Sequence, residues 1–291
     1  MILAPVISSP HDRTRGVRLM IASSFFFTAN VLLVRTLSTL ESVNVWLVAV
    51  VRFGSGLTLI YALYRRQFQF RRLFTHSKLI GRGLAGGASV YGFYLTIVEL
   101  GAGRATFIGN TYVIFAAALA VWLLKERFTF ALAAGSATAL GGLALLTHVF
   151  EASTSTGIYD LIAVLSALAS AYVLVTIRQL HATDHTATIF GAQCVYGLIL
   201  CGLPALRQLD GISAAGWGLM LAAGLCASLG QITMTAAFRE LPVAEGSLLQ
   251  MVVPVGIALG GWLFFGEYFT FGELVGAVLI LVGTAWLGRG R

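Results

Sequence analysis

The chain has 291 residues, of which 58% are hydrophobic and only 11% are charged, and its mean hydropathy is +0.87. Soluble domains carry about 25% charged residues because their surfaces face water. The composition therefore excludes an ordinary water-soluble enzyme and predicts an all-α polytopic membrane protein. In such a protein the formal net charge of +7 indicates membrane topology, so we expect lipid contacts and no nucleic-acid partner.

Ten apolar runs follow one another along the chain. A helix of about 20 apolar residues crosses the ~30 Å hydrocarbon core of a bilayer. We expect each run to form one transmembrane helix, with no room left for a separate soluble domain. The runs are residues 17–39, 43–64, 79–99, 104–124, 128–148, 157–179, 185–203, 213–236, 243–264 and 271–288.

The basic residues beside these runs indicate the orientation of the chain. Fifteen of the nineteen Lys and Arg residues, Arg82 among them, flank the side that holds both termini. Arg35, Arg104 and Arg207 flank the opposite side. Cytoplasmic loops carry the excess of Lys and Arg. We therefore expect cytoplasmic termini and a location in the inner membrane of a bacterium.

The two halves of the chain repeat each other. When the sequence is shifted by 141 residues without a gap, eleven of the forty-six residues from Glu99 to Ala144 are identical, including an E-x-F-T-F block that begins at Glu126 and Glu267. Each half has five predicted helices, an odd number, so the halves are inverted repeats, which are typical of alternating-access carriers. The predicted segments are an N-terminal tail, a first repeat, a connecting loop, a second repeat and a C-terminal end, at 1–16, 17–148, 149–156, 157–288 and 289–291.

Two five-helix units, with Arg52 in the second helix and an E-x-F-T block before each last helix, resemble the drug/metabolite transporter superfamily. Within it the chain is most similar to the ten-span EamA-type carriers and, among these, to the YddG-type amino-acid exporters. It differs in having Gln193 where the first half has Arg52, and Val113 where the second half has Pro254. The resemblance implies an exporter of amino acids.

Arg52 is the one charge deep inside a predicted span. Because an intramembrane charge is costly without partners, we expect it to be buried and paired. It could be the counter-charge of a substrate carboxylate or a structural brace. Pro254 lies in the ninth run, where the missing amide predicts a hinge.

Polar side chains near the middle of several runs predict a substrate pocket. Amides would orient a carboxylate, while phenol rings would hold an apolar side chain and attract an ammonium group. The absence of an acid at this depth disfavours cationic drugs. The predicted pocket residues are Asn30, Tyr91, Tyr94, Tyr112, Gln231 and Gln250.

Three glutamates at the ends of predicted spans, Glu99, Glu126 and Glu267, are possible gate residues. For Glu126 and Glu267 a structural role in the E-x-F-T block is the alternative. Export of other small metabolites or drugs stays open, as do two other classes, an intramembrane enzyme and a channel. The chain has no serine-protease or HExxH motif, so we expect no catalytic residue, metal or cofactor. Both repeats lie in one chain, so a monomer is sufficient.

Overall fold

The structure is a computed structural model that describes residues 10–127, 129–149, 157–206 and 211–285. Within these ranges the chain forms only helices, which confirms the all-α prediction for them. A π-helical segment, Ala120–Leu124, follows α6. The α-helices are α1 (Pro10–Leu40), α2 (Val45–Tyr64), α3 (Arg72–Thr75), α4 (Ser77–Leu100), α5 (Ala102–Asn110), α6 (Tyr112–Leu119), α7 (Phe130–Leu146), α8 (Ile158–Leu180), α9 (Thr186–Ala205), α10 (Ala214–Glu240), α11 (Val243–Leu249), α12 (Val252–Phe265) and α13 (Phe271–Ala285).

Within the described residues, each predicted apolar run overlaps one helix or consecutive helices. Seven such segments are long and apolar enough to cross a membrane, and α7 and α13 are shorter apolar helices. The 24-residue α4 begins with Ser77, Lys78 and Arg82 in its first turns. The number of ten spans therefore stays a prediction. Helix α1 begins at Pro10, seven residues before the predicted span, because proline suits the first turn of a helix.

Parts of the predicted organisation lie outside the described residues. They are the first nine residues of the N-terminal tail, residue 128 of the first repeat, residues 150–156 of the connecting loop, residues 207–210 (with Arg207) and 286–288 of the second repeat, and the C-terminal end at 289–291.

The fourth and ninth predicted spans are each interrupted near the middle. Between α11 and α12 the helix stops at Gln250 and Met251, because Pro254 has no amide to donate to the carbonyl of residue 250. Between α5 and α6 the break is at Thr111, whose hydroxyl donates to Ile108 O at 2.6 Å. The two breaks lie within two residues of each other in the 141-residue alignment. The hinge at Pro254 stays a prediction; the helix break precedes it at Gln250 and Met251, and a second break lies in the first half.

Helices α7 and α13 pack so closely that their backbones touch. A Cβ added to Gly142 would lie 2.5 Å from the carbonyl oxygen of Gly276, and one added to Gly135 would lie 2.7 Å from that of Gly283. The alignment matches Gly135 with Gly276 and Gly142 with Gly283. Each glycine therefore faces the counterpart of the other, as it would if a two-fold axis related the two helices.

Other helix pairs follow the same relation. Helix α1 packs on α10 and α12, while α8, its counterpart in the second half, packs on α4 and α6. Large apolar side chains cover the outside of the bundle; Phe130 is 85% exposed and Phe271 84%. A surface of this kind suits lipid rather than water.

Candidate functional site

Glu126 joins four segments at one end of the bundle, which we call the Glu126 end. Its two carboxylate oxygens each accept a hydrogen bond from the amide of Val243, at 3.0 Å, and so cap the first turn of α11. The guanidinium Nε of Arg178 at the end of α8 lies 4.0 Å from the same carboxylate. Arg178 also donates to the carbonyls of Phe238 and Arg239, at 3.1 and 2.8 Å, at the end of α10.

Two further contacts hold the Glu126 end together. Arg13 of α1 pairs with Glu245 of α11 at 2.6 Å. His181, directly after α8, bonds through Nε2 to Thr235 O at 2.7 Å. Burial lowers the pKa of His181 to about 4, so the neutral ring donates this bond. Burial also raises the pKa of Glu126, against the opposing effect of its bond to Val243. This end is therefore held together by partly buried polar contacts.

The opposite end, which we call the Glu267 end, has its own Arg–Glu pair. Arg35, near the end of α1, makes two hydrogen bonds to the Glu267 carboxylate, one of them at 3.0 Å. The Arg35 guanidinium also lies 4.4 Å from the ring centre of Phe265. The side chains of Arg35 and Glu267 are 36% and 49% exposed, so solvent screens the pair. The hydrogen bonds from Arg35 lower the pKa of Glu267.

Glu99 and Arg104 also belong to the Glu267 end. Glu99 is exposed at the end of α4, so the structure does not place it in a closed contact. Arg104 of α5 pairs with Asp160 of α8 at 2.9 Å. The alignment matches Arg104 with Glu245, so one member of the second pair at each end is related by the shift, with opposite charge; the partners Asp160 and Arg13 are not aligned.

The turns that carry the two aligned glutamates have the same backbone. Lys125 and Gly266, which precede Glu126 and Glu267, both adopt the left-handed conformation, with φ of 57° and 67°. The amide of each glutamate donates to a carbonyl six residues earlier in the chain, at 3.2 Å for Glu126 and 3.3 Å for Glu267. The two ends thus differ in the partners of the carboxylates and not in the turns themselves.

Arg52 lies in the middle of α2, where it is half-buried. Its guanidinium lies 5.9 Å from the ring centre of Phe27 on α1. Its carbonyl accepts from Ser228 of α10 at 3.3 Å. Within the described part of the chain the guanidinium has no hydrogen-bond or carboxylate partner. The expectation of a buried and paired Arg52 therefore stays a prediction: the side chain is half-buried, and the ring of Phe27 lies beside the cation.

Three of the six predicted pocket residues bind neighbouring helices. Asn30 is buried and donates to Ala223 O at 2.9 Å. Gln250, at the break after α11, donates to the Ser23 hydroxyl at 3.1 Å. The Tyr112 hydroxyl reaches Ser247 O at 3.4 Å, which connects α6 to α11. These contacts tie the two breaks to α1 and to each other.

The other three pocket residues lie elsewhere in the bundle. Tyr91 stacks on Trp46 of α2, with ring centres 4.2 Å apart. Tyr94 packs in the same apolar cluster, between α2 and α4. Gln231 is buried in α10, at 5% exposure. The structure therefore groups Tyr91 with Tyr94 and separates them from the contacts of Asn30 and Gln250.

Arg82 is the buried cation that the sequence analysis missed. Assigned to a flank by the count of basic residues, it is fully buried between α4 and α9 and donates to Gln193 Oε1 at 3.0 Å. Gly86 leaves room for its guanidinium, while Gly83 and Gly87 allow the close approach of α9. This run of glycines next to an arginine was the available signal. Across the described residues, no cluster of three or more metal-ligating side chains is found.

Comparisons with known proteins agree on one class. A model of the EamA-like transporter family matches residues 14–148 and 157–289. The pseudopaline exporter CntI of Pseudomonas aeruginosa strain UCBPP-PA14 is 28% identical over 276 residues, covering 94% of this chain and 96% of the exporter. The same exporter of strain PAO1 is 28% identical over 280 residues, with the same coverage. A solved crystal structure at 16% identity aligns with a TM-score of 0.83 over 95% of this chain and 97% of that one, which shows a shared fold.

Proposed function

Because the chain belongs to the EamA-like transporter family, we propose that it exports amino acids and related zwitterionic metabolites by alternating access. The family and the matched exporters make it an integral membrane protein that transports a small molecule. The amino-acid substrate, the inward location of the termini and the monomeric state are parts of the proposal. The inverted relation of α7 and α13 supports two gates built from one repeated unit.

The two ends supply these gates. In the proposed cycle the Glu126 end is cytoplasmic, because most of the basic residues flank that side. There Glu126 closes the path by capping α11 and facing Arg178. The Glu267 end is the open, outward gate in this state. Breaks at Thr111 and Gln250 let α5 and α11 move separately from α6 and α12, as hinges at element ends commonly do.

Arg52 is the observation that carries the substrate assignment. A half-exposed cation in the middle of a span is costly unless it faces water inside the bundle. The ring of Phe27 covers one side of the guanidinium, and the other side is free to bind a carboxylate in two-point fashion. In this arrangement the Tyr91 and Trp46 rings accept the apolar part of the solute. The chain then recognises a carboxylate next to an apolar group, as amino acids present.

Efflux from proteoliposomes tests the proposal. Vesicles preloaded with radiolabelled phenylalanine or leucine should lose the label at a rate that saturates with concentration, which a channel would not show. Arg52→Ala should slow efflux about tenfold or more, since a charge-assisted hydrogen bond contributes roughly 1.5–3 kcal/mol. Arg52→Lys should recover part of the rate, because lysine keeps the positive charge but lacks the paired N–H donors with which a guanidinium binds a carboxylate at two points.

The control is Arg66→Ala, which removes an exposed charge outside the helices. Normal efflux from Arg52→Ala vesicles, with Arg66→Ala equally normal, would contradict the role of Arg52. A second candidate substrate is pseudopaline, because the two matched relatives are pseudopaline exporters. Vesicles that release pseudopaline but no amino acid would replace the proposed substrate with this one.

A further inference from the structure

A cavity of about 230 Å³ opens at the Glu126 end, between α1, α2, α9 and α10. We call it the basic cavity. Two arginines from different helices, Arg15 of α1 and Arg239 of α10, line it. Glu126, Arg178 and Arg52 do not line it, and the contacts of Glu126 reach it through the backbone carbonyl of Arg239, which accepts from Arg178. Its side chains are therefore used neither by the gate nor by the proposed substrate site.

The basic cavity carries more positive than negative charge. The closest carboxylate to Arg15 is Glu240, at 3.9 Å, and the Arg15 side chain is 66% exposed. The guanidinium of Arg239 is exposed and has no hydrogen bond or ion pair among the described residues. Since Glu240 is the one acid that lines the cavity, two positive charges face one negative charge. The surplus favours an anion.

His185 and Tyr64 add neutral hydrogen-bond donors to the lining of the basic cavity. His185 accepts the amide of Ala187 through Nδ1, which leaves Nε2 to carry the proton. Partial burial and the neighbouring Arg239 lower the pKa of His185, so the ring is neutral near pH 7. Tyr64 lies beside it, with ring centres 5.6 Å apart, and its hydroxyl is a further donor. Guanidinium, imidazole and phenol groups together suit phosphate oxygens.

The basic cavity also has apolar lining residues, which lie further from the helix ends than the two arginines do. Leu19 lies one turn further into α1 than Arg15, and Ile232 lies about two turns further into α10 than Arg239. Along α1 and α2, which form the cavity wall together with α9 and α10, the apolar side chains of Ile21 and Tyr61 are exposed, at 61% and 66%. Basic pockets with apolar walls at this depth between membrane helices bind lipid headgroups.

We propose that the basic cavity binds the phosphate of an anionic phospholipid, with Arg15 and Arg239 contacting the phosphate and Leu19 and Ile232 contacting the acyl region. This inference depends on the membrane location of the chain and not on the transported solute. A free phosphate ion offers the same oxygens but has no apolar part for Leu19 and Ile232.

Native mass spectrometry of the full chain tests the site. The protein is released from nanodiscs that contain phosphatidylcholine and phosphatidylglycerol in equal amounts. We expect the wild-type protein to retain one phosphatidylglycerol with about tenfold preference over phosphatidylcholine, as two basic side chains near the bilayer surface would give. Arg15→Ala/Arg239→Ala should lose the preference, and Arg15→Lys/Arg239→Lys should keep most of it. If the alanine pair is not monodisperse, Arg15→Gln/Arg239→Gln tests the same loss with side chains of similar length.

The matched control is Arg18→Ala/Arg66→Ala, which removes two exposed charges from the same end but outside the cavity. Retention by this control supports the site. Equal loss in both double variants, or retention by both, would overturn it. The source of the phosphate is tested in phosphatidylcholine nanodiscs: thermal stabilisation by inorganic phosphate as large as that by phosphatidylglycerol would overturn the lipid assignment.

Discussion

Helices α5 and α11 are aligned segments of the two halves, but their surroundings differ. All residues of α11 from Val243 to Leu248 are buried. Among the residues of α5 from Gly103 to Asn110, only Ala105 is buried. Helix α11 also packs on α6, α7 and α8, whereas the main contacts of α5 are with α4 and α8. Two aligned segments without an identical residue thus differ in burial: α11 is enclosed, and α5 is largely accessible.

The difference indicates what must change when the two ends exchange states. Both glutamates follow a left-handed residue and an equivalent backbone bond, so the turns are already alike. The closed end adds the cap of α11 by Glu126. The corresponding cap at the other end would bring Glu267 to the first amides of α5. In the proposed cycle, the Glu126 end is therefore closed when Glu126 caps α11, and the Glu267 end is closed when Glu267 caps α5.

The largest effect is expected at the contact between α7 and α13, the last helices of the two halves. Gly142→Leu would drive its side chain into the carbonyl of Gly276, 2.5 Å from the position of the new Cβ. Overpacking costs about 1–3 kcal/mol even where side chains can move, and here the obstacle is backbone. We expect the loss of monodisperse protein in size-exclusion chromatography. Gly141→Leu, with no atom within 4 Å of its Cβ, is the control and should behave as the wild type; failure of both variants would assign the defect to glycine loss in general.

The next effect concerns the closed end. Glu126→Ala removes the acceptor of the Val243 amide and leaves Arg178, 18% exposed, without its carboxylate. Each unsatisfied buried group costs about 1–3 kcal/mol, which is enough to open the end. In a background without native cysteines, labelling of Ser247→Cys by a membrane-permeant maleimide should accelerate about tenfold, the ratio that corresponds to 1.4 kcal/mol. Glu126→Gln keeps an acceptor for the Val243 amide without the charge whose burial opposes closure, so it should not accelerate labelling. Unchanged labelling in Glu126→Ala would show that Glu126 does not hold the end closed.

A smaller effect is expected at the open end. Glu267→Ala breaks the pair with Arg35, but both side chains are exposed, and such pairs contribute about 0–1 kcal/mol. Labelling of Thr106→Cys, which aligns with Ser247, should therefore be fast in the wild type and change less than about fivefold in the variant. If Glu267→Ala accelerates labelling of Thr106→Cys by a larger factor than Glu126→Ala accelerates labelling of Ser247→Cys, the assignment of the open and closed ends would be reversed.

Local sequence patterns predicted the helices, while contacts between distant helices set the details of the site. Apolar runs determine where helices form, so α2 and α9 match their predicted bounds within a few residues. The break at Thr111 has no proline and depends on local side-chain bonds to carbonyls, including Asn110 to Thr106 O at 2.8 Å. Arg82 is buried because α9 brings Gln193 to it, and this contact joins residues 111 apart in sequence. A count of charges beside apolar runs does not contain that information.

The same limit applies to the predicted pocket. A polar residue in the middle of a span can face a cavity or bind the next helix, and its own sequence neighbours do not distinguish the two. Asn30 and Gln250 bind residues 193 and 227 positions away, on helices that the fold brings alongside. The aligned glutamates were found because repetition, unlike packing, is visible in the sequence itself.

Lowering the pH should strengthen closure at the Glu126 end and weaken the Arg35–Glu267 pair at the other end. Burial raises the pKa of Glu126 in the closed state, so the closed end binds a proton more readily than an open, hydrated one, whose pKa is the ordinary ~4.3. As the pH falls through the raised value, closure is strengthened, and labelling of Ser247→Cys relative to the denatured protein should decrease. Glu267 has the reverse shift, because Arg35 lowers its pKa. Its contribution to the pair is complete above the ordinary pKa and is lost as the pH falls through the lowered one. Glu126→Gln should abolish the pH dependence at Ser247→Cys and leave that at the Glu267 end; a labelling ratio that rises with acid, or that responds equally in Glu126→Gln, would contradict the assignment of this titration to Glu126.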